Sequence, residues 1–496
     1  MDREDRDVQG SLTEAKQRKP SPAQLPPARP RQKAQQQRAA EEESQVSEES
    51  ISVSPELTSW IKLNAKDLKI RMTDCRWAAE VVNDFQDNLL KFLRSSNDQP
   101  FFQSADFLNA GSYFEKVKIR SPDEFDMMLK LQVPSRVNVT NLHGGLFYRI
   151  DLSRPTRSPI QAFLLENERT VSSSKFLSEM YRVVRKFLKT YKVPEEGCCW
   201  EVNRKRIHSP AVTLSLCRPE ISSDELISVD LVPALEVQSQ GCWPLPECHG
   251  PDVDKWLGRK VRLEIKSLPC YFIPKRLKGR NLSEDAKESW RISFSHVEKK
   301  IIRSHGNKKT CCESKATKCC RKPCLMLLKS LIEGLKQRFP NELDHLCSYH
   351  GKTAFLHTLS IRFDDSMWAC QQLPACFLNL LGALQCYACK GFLPHFFVPD
   401  YNLFSAAVFP KKALSFLINA LEEQRREGLP LLKPPAPLPL LRLMSPSGDD
   451  TSEISSDQSS ILTAVCSLDT AFVNTLVLVF AVAVVCILFC MQVIGN

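Results

Sequence analysis

The sequence predicts a mixed α+β protein with two lobes, the first α/β and the second mainly helical, framed by polar tails. Three observations carry this. Four runs, EFDMMLKLQV (124–133), LFYRIDL (146–152), AVTLSLC (211–217) and LISVDLVPAL (226–235), alternate or run apolar as strands do. A stretch at about 173–190, rich in Phe, Leu, Tyr and Val, places a helix between them. Beyond Trp256 the strand signal fades, and helical periodicity covers 285–304, 322–339, 345–361, 372–390 and 411–427.

The elements follow in order. Residues 1–55 hold 9 basic and 10 acidic side chains and few apolar ones, too few to bury a core, so a disordered tail is expected. From about Pro55, Trp60, Ile61, Leu63, Leu68, Trp77, Val81, Phe85, Leu89 and Leu93 recur at three- and four-residue spacing. That pattern predicts a long amphipathic spine helix, broken once, ending near Arg94. The first lobe is set at 56–240 and the helical lobe at 241–428, with no internal repeat. The 496 residues have room for both, and 43% hydrophobic with 25% charged residues excludes a fully disordered or fibrous chain. Residues 429–470 are a Pro- and Ser-rich linker. Residues 471–490 carry no charge and at ~1.5 Å rise reach about 30 Å, one bilayer core. A transmembrane helix is expected there, a buried core helix being the alternative.

The charged start, MDREDRDVQG, lacks the apolar core of a signal peptide. The 20 cysteines are therefore expected in a reducing cytosol or nucleus, free or bound to metal.

The strongest chemistry follows Gly111-Ser112. Residues two apart on a strand share a face, so Glu124 and Asp126 project together from an apolar run. Two close carboxylates repel unless a cation lies between them, and Mg²⁺ takes one or two carboxylates plus substrate phosphates. Asp230, on a second apolar strand, completes a set of three acids suited to two-metal phosphoryl transfer. The bland alternative for an E-x-D pair is a solvated strand edge.

His305, Cys311, Cys312 and Cys319 lie within fifteen residues, enough for a closed zinc site. Free surface thiols are the alternative, although five cysteines between 311 and 324 would invite oxidation. Around them, Trp256 to Pro340 carries 22 Lys+Arg against 7 Asp+Glu, +15 in a chain whose total is +10. Such a segment reads as a platform for a phosphate backbone, and with few aromatics interleaved, for a duplex rather than a single strand.

These residues are recognisable. GSYFEKVKIRSPDEFDMMLKL, SPAVTLSL, ISVDLVPALE, WRISFSHVEKKII, HGNKKTCCESKATKCCRKPC and SYHGKTAFLH resemble, in that order, the DNA-sensing nucleotidyltransferases of the cyclic GMP-AMP synthase family. The resemblance spans about 56–428. It implies a bilobal nucleotidyltransferase core, with Glu124, Asp126 and Asp230 holding catalytic Mg²⁺ (or Mn²⁺). It places ATP against Ser112, Lys329, Ser348 and Tyr349 with Lys352 nearby, and GTP against Lys275, Arg291, Ser293 and Ser295. It makes 305–319 a zinc thumb with His305, Cys311, Cys312 and Cys319 as Zn²⁺ ligands, Cys320 and Cys324 having no ligand role. The implied partner is double-stranded DNA, contacted by Lys69, Arg71, Lys299, Lys309 and Lys322, with Lys260 at a 2:2 DNA-bridged homodimer. The implied activity is DNA-activated synthesis of cyclic GMP-AMP, a cytosolic sensor of innate immunity. A related synthase answering to double-stranded RNA and a silent scaffold of the same fold are the alternatives. Ala110 stands where the family usually has Thr, and Met326 where relatives often have Lys. The apolar tail is an addition to the family pattern, and it predicts a tail-anchored enzyme with its lobes in the cytosol.

Overall fold

The computed structural model describes residues 53–432, apart from 134–135, 207, 219–221, 238–255, 278–282, 307–310 and 313–317. Lys309 and the apolar segment 471–490 lie outside the described residues. Among the described residues no helix is long and apolar enough to cross a membrane.

Two helices open the described chain. Helix α1 (Pro55–Asp67) begins where the Ser54 hydroxyl accepts the Leu57 amide, with Pro55 in its first turn. It stops at Leu68, and α2 (Met72–Ser95) starts after Arg71, which is the single break expected of the spine. Then come β1 (Asp106–Ala110), the one-turn α3 (Gly111–Phe114), β2 (Glu124–Gln132), β3 (Val137–His143), β4 (Phe147–Leu152) and α4 (Ser173–Leu188). Strands β5 (Cys199–Val202), β6 (Val212–Arg218) and β7 (Ser222–Val237) follow. Past the spans not described, α5 (Arg259–Lys266), β8 (Cys270–Ile273), α6 (Glu284–Lys287), β9 (Trp290–Ser293) and α7 (Ser295–Arg303) complete the sheet region. Helices α8 (Arg321–Arg338), α9 (Ser348–Ile361) and α10 (Leu373–Lys390), the hairpin β10 (Pro394–His395) and β11 (Val398–Asn402), and α11 (Lys411–Arg426) make the remainder.

The sheet has nine strands in the order β1-β2-β7-β8-β9-β4-β3, with β6 beside β7 and β5 beside β6. Strands β2 and β7 run parallel at its centre; the other pairs are antiparallel. Helical lobe periodicity does not hold throughout: 285–304 is not one helix. Strand β9 occupies part of it, because the Trp290 side chain is fully buried with its ring N–H on the Val171 carbonyl at 2.8 Å. The helix begins only at Ser295.

Packing divides the spine between the two halves. Phe85 of α2 meets Phe187 of α4, Tyr191 and Trp200. The Trp60 ring N–H of α1 instead reaches the Leu429 carbonyl at 3.1 Å, and α1 packs on α8 and α10. Residues 68–71 are thus the hinge of a strap across the protein. Leu68 is buried there, and its carbonyl accepts the Arg120 amide.

Candidate active site and metal-binding thumb

Register builds the acidic site. Asp126 lies directly opposite Asp230 across the parallel pair, and Glu124 opposite Ser228. Ala110 faces Asp126 from β1, and Thr213 faces Asp230 from β6. A single row, Ala110–Asp126–Asp230–Thr213, therefore crosses four strands, with adjacent backbones about 4.8 Å apart. The Thr213 hydroxyl donates to Asp230 at 2.6 Å. Burial pushes the Asp126 carboxyl up to about 6, and repulsion from Glu124, Asp230 and Glu115 adds to it. Three acids gathered on one pair of strands, one of them pushed up by burial and mutual repulsion, make the donor set that a divalent cation fills.

Chain direction brings Gly111 onto this row. Its φ of +76° falls where L side chains rarely sit, and a Cβ there would collide with the Asp126 carboxylate. The one-turn α3 then presents Ser112 at the row's edge. Glu124 is exposed and held aside by Lys118 at 2.8 Å, a cation that also pairs with Asp123 at 3.0 Å.

Two of the residues expected at nucleotides, Lys329 and Lys352, reach the segment that follows Gly111. Lys329 of α8 donates to the Val117 carbonyl at 3.2 Å, just past Ser112. Lys352 of α9 pairs with Glu115 at 2.7 Å and Glu298 at 2.6 Å. Burial works against its charge, but the two carboxylates outweigh burial and raise its pKa. The Tyr349 hydroxyl donates to Glu298 at 3.1 Å and lies 2.9 Å from His395 Nε2. Ser348 begins the same helix. Arg291, on β9, has its pKa lowered by burial while Tyr349, Glu298 and Tyr401 pull it back up. Ser293 and Ser295 share a hydroxyl contact of 3.1 Å, and the Lys275 carbonyl accepts from Ser289 at 3.2 Å. Lys118, Thr213 and the buried pair Glu115 and Glu298 were not legible in the sequence. Each reads there as a surface polar residue; only the fold turns them inward.

The thumb converges independently. His305 Nε2 stands 3.5 Å from Cys312 Sγ and 3.3 Å from Cys319 Sγ. Cys312 Sγ is 3.9 Å from Cys311 Sγ and 3.6 Å from Cys319 Sγ. Tetrahedral Zn²⁺ with bonds of ~2.3 Å to sulfur and ~2.0 Å to nitrogen requires S···S of about 3.8 Å and N···S of about 3.5 Å. The four residues fit. His305 Nδ1 lies 2.8 Å from the Ile302 carbonyl, a hydrogen bond that leaves Nε2 to face the thiols.

The described basic residues fall on the α1–α2 break and on three helices, α5, α7 and α8. Lys69 and Arg71 are exposed at the α1–α2 break, and Lys260 is exposed on α5. Burial lowers the Lys322 pKa, and repulsion from Lys116 and Arg303 lowers it further. Lys299 turns inward, donating to the Asn109 carbonyl at 2.6 Å beside Gly111.

Residues 113–304 match the Mab-21 protein nucleotidyltransferase domain, and 320–423 the Mab-21 protein HhH/H2TH-like domain. Cyclic GMP-AMP synthase of Mus musculus is 40% identical over 367 residues, covering 73% of this chain and 68% of that protein. The Sus scrofa protein of that name is 40% identical over 359 residues, 71% of this chain and 68% of its own. The chain belongs to the cyclic GMP-AMP synthase family of Mab-21 nucleotidyltransferases. A cyclic GMP-AMP synthase-like protein of Drosophila melanogaster is 26% identical, covering 66% of this chain and 80% of its own. This nucleotidyltransferase is an enzyme, and the Asp126–Asp230 row lies within the matched catalytic domain.

Proposed function

We propose that this nucleotidyltransferase joins ATP and GTP into cyclic GMP-AMP when double-stranded DNA occupies its basic face. The observation that carries the reading is the row itself. Asp126 and Asp230 are opposite one another, Glu124 is one pleat away, and Gly111-Ser112 abuts them. Bound Mg²⁺ or Mn²⁺ would polarise the attacking hydroxyl and steady the triphosphate. Glu124, Asp126 and Asp230 would hold the two ions. Ser112 would take a phosphate oxygen through its hydroxyl, and Lys329, next to the same turn, a phosphate charge. Tyr349 would stack on a base, and Arg291, Ser293 and Ser295, with Lys275, would contact the guanine nucleotide. Ala110 supplies no hydroxyl to the row, so one contact usual in the family falls away. A closed four-ligand Zn²⁺ site has no position for substrate; its role would be to stiffen the +15 segment.

The enzyme would act in the cytosol and the nucleus, pairing into a 2:2 assembly through the Lys260 region. The 471–490 segment would tether it to a membrane with both lobes on the cytosolic side. DNA is favoured over RNA by the thumb, whose His and Cys ligands are all present and converge, and by two mammalian relatives named as cyclic GMP-AMP synthases. Incubation with ATP, GTP and Mg²⁺, with duplex DNA, duplex RNA or neither, tests the activator. Dinucleotide production stimulated by DNA alone is expected; stimulation by RNA alone would select the RNA-sensing alternative, and none with either would leave the scaffold reading.

A further inference from the structure

The floor of the thumb carries a buried cation. Arg321, the first residue of α8 and two residues after Cys319, is 0% exposed. Its Nη1 donates to Cys311 Sγ at 3.6 Å and pairs with Asp365 Oδ1 at 2.9 Å. Its Nη2 donates to the Phe363 carbonyl at 3.2 Å, and its guanidinium carbon stands 5.5 Å from the Trp368 ring centre. The segment that supplies these partners is stitched to the thumb: the Cys320 amide donates to the Trp368 carbonyl at 2.8 Å, and Cys319 bridges Ala369. Gly306 sits against both Cys311 and Asp365, and a Cβ there would collide with Cys311.

Charge gives this arrangement a direction. Zn²⁺ with three thiolates and a neutral imidazole is a −1 unit, and little solvent reaches its floor to compensate. We propose that Arg321 is the positioning residue that neutralises the zinc–thiolate unit through Cys311, and that Asp365 opposes it by drawing on the same Nη1. The inference rests on the zinc assignment to His305, Cys311, Cys312 and Cys319. A charge-assisted N–H···S bond lowers the energy of the sulfur lone pairs, and the cation offsets the −1 charge where little solvent does, so the assembled zinc–thiolate unit is stabilised. The Asp365 carboxylate shares that Nη1 with Cys311, repels the −1 unit and takes up part of the cation's field. A plain structural brace between α8 and the 363–369 segment would use the same ion pair without regard to sign.

The two readings separate in a pair of single substitutions. Arg321→Gln leaves Asp365 facing the thiolates; Asp365→Asn leaves Arg321 undivided. Both break the same ion pair. Zinc affinity of the full chain, measured by competition with a chromophoric chelator, is expected to fall about 10–100-fold in Arg321→Gln. Asp365→Asn is expected to bind at least as tightly as the wild type, and Arg321→Lys to recover part of the loss. In the Co²⁺-substituted protein, Arg321→Gln should move the sulfur-to-metal charge-transfer band to lower energy, a change that loss of packing alone does not produce. Equal weakening in Arg321→Gln and Asp365→Asn, or wild-type affinity in Arg321→Gln, would overturn the inference. Absence of stoichiometric zinc from the wild type would instead remove the thumb assignment on which it stands.

Discussion

Asp126 concentrates the cost of the active site in one side chain. Its carboxyl is raised from an ordinary 3.8 to about 6, by burial first and then by its acidic neighbours. A folded-state value above the unfolded one means that the ionised acid weighs against folding. Stability from this group is therefore full below about pH 4, falls as pH rises towards 6, and stays low beyond. Two units at ~1.4 kcal/mol each set a ceiling of about 3 kcal/mol at neutral pH. Metal-free Asp126→Asn is thus expected to melt higher than the wild type at pH 7 and equally with it near pH 4; a lower melting point at pH 7 would contradict the assignment. The same titration makes cation binding proton-linked, so Mg²⁺-dependent turnover should drop as pH falls through about 6. Gly111 is the second critical residue: Gly111→Ala puts a methyl against Asp126 in a left-handed backbone position. Turnover should fall at least about 100-fold, as expected for displacement of the reacting geometry, with DNA affinity unchanged in a fluorescence titration.

At the scale of elements, legibility followed length and burial pattern. Strands β2, β4, β6 and β7 were readable because their apolar runs are long, and α8 to α11 because 3.6-residue periodicity holds over three or more turns. Strands β8 and β9 escaped notice because four residues carry too little pattern, and β9 lies in a region whose flanks are helical. Strand β3, at the sheet edge, places only Val137 and Val139 against the core before Asn141 and His143 interrupt the alternation, too short a pattern to stand out. The carboxylate row was legible in its members but not in its register, since no local signal states that Asp126 faces Asp230. The thumb was the converse case. Its four candidate ligands are close in sequence, within residues 305–319. Removing one ligand by Cys312→Ala should release the metal, since a structural site contributes its binding free energy to folding of the loop. Metal analysis should find stoichiometric zinc in the wild type and none in the variant, and DNA-stimulated turnover should be lost with it. Zinc retained by Cys312→Ala would exclude this residue as a ligand.

For the whole molecule, the spine strap, the basic segment and the acidic row form one connected path. Lys299 is a candidate DNA contact whose ammonium holds the Asn109 carbonyl, two residues from Gly111. Glu298, beside it, shares Lys352 with Glu115, which lies on the same turn as Ser112. Such connectivity is what coupling between a nucleic-acid face and a nucleotide site needs. The apolar 471–490 segment makes a separate prediction: the full chain should stay with membranes on carbonate extraction, while a chain ending at Gly428 is released. Release of both would sink the anchor. The central claim, that dinucleotide synthesis occurs at the Glu124, Asp126 and Asp230 site under control of DNA, has one direct test. Products of the wild type and of Glu124→Gln/Asp126→Asn, each with ATP, GTP, Mg²⁺ and duplex DNA, are quantified by mass spectrometry beside DNA binding. Cyclic GMP-AMP is expected from the wild type alone, with equal DNA affinity for both proteins; substantial dinucleotide from the double variant would contradict catalysis at this site.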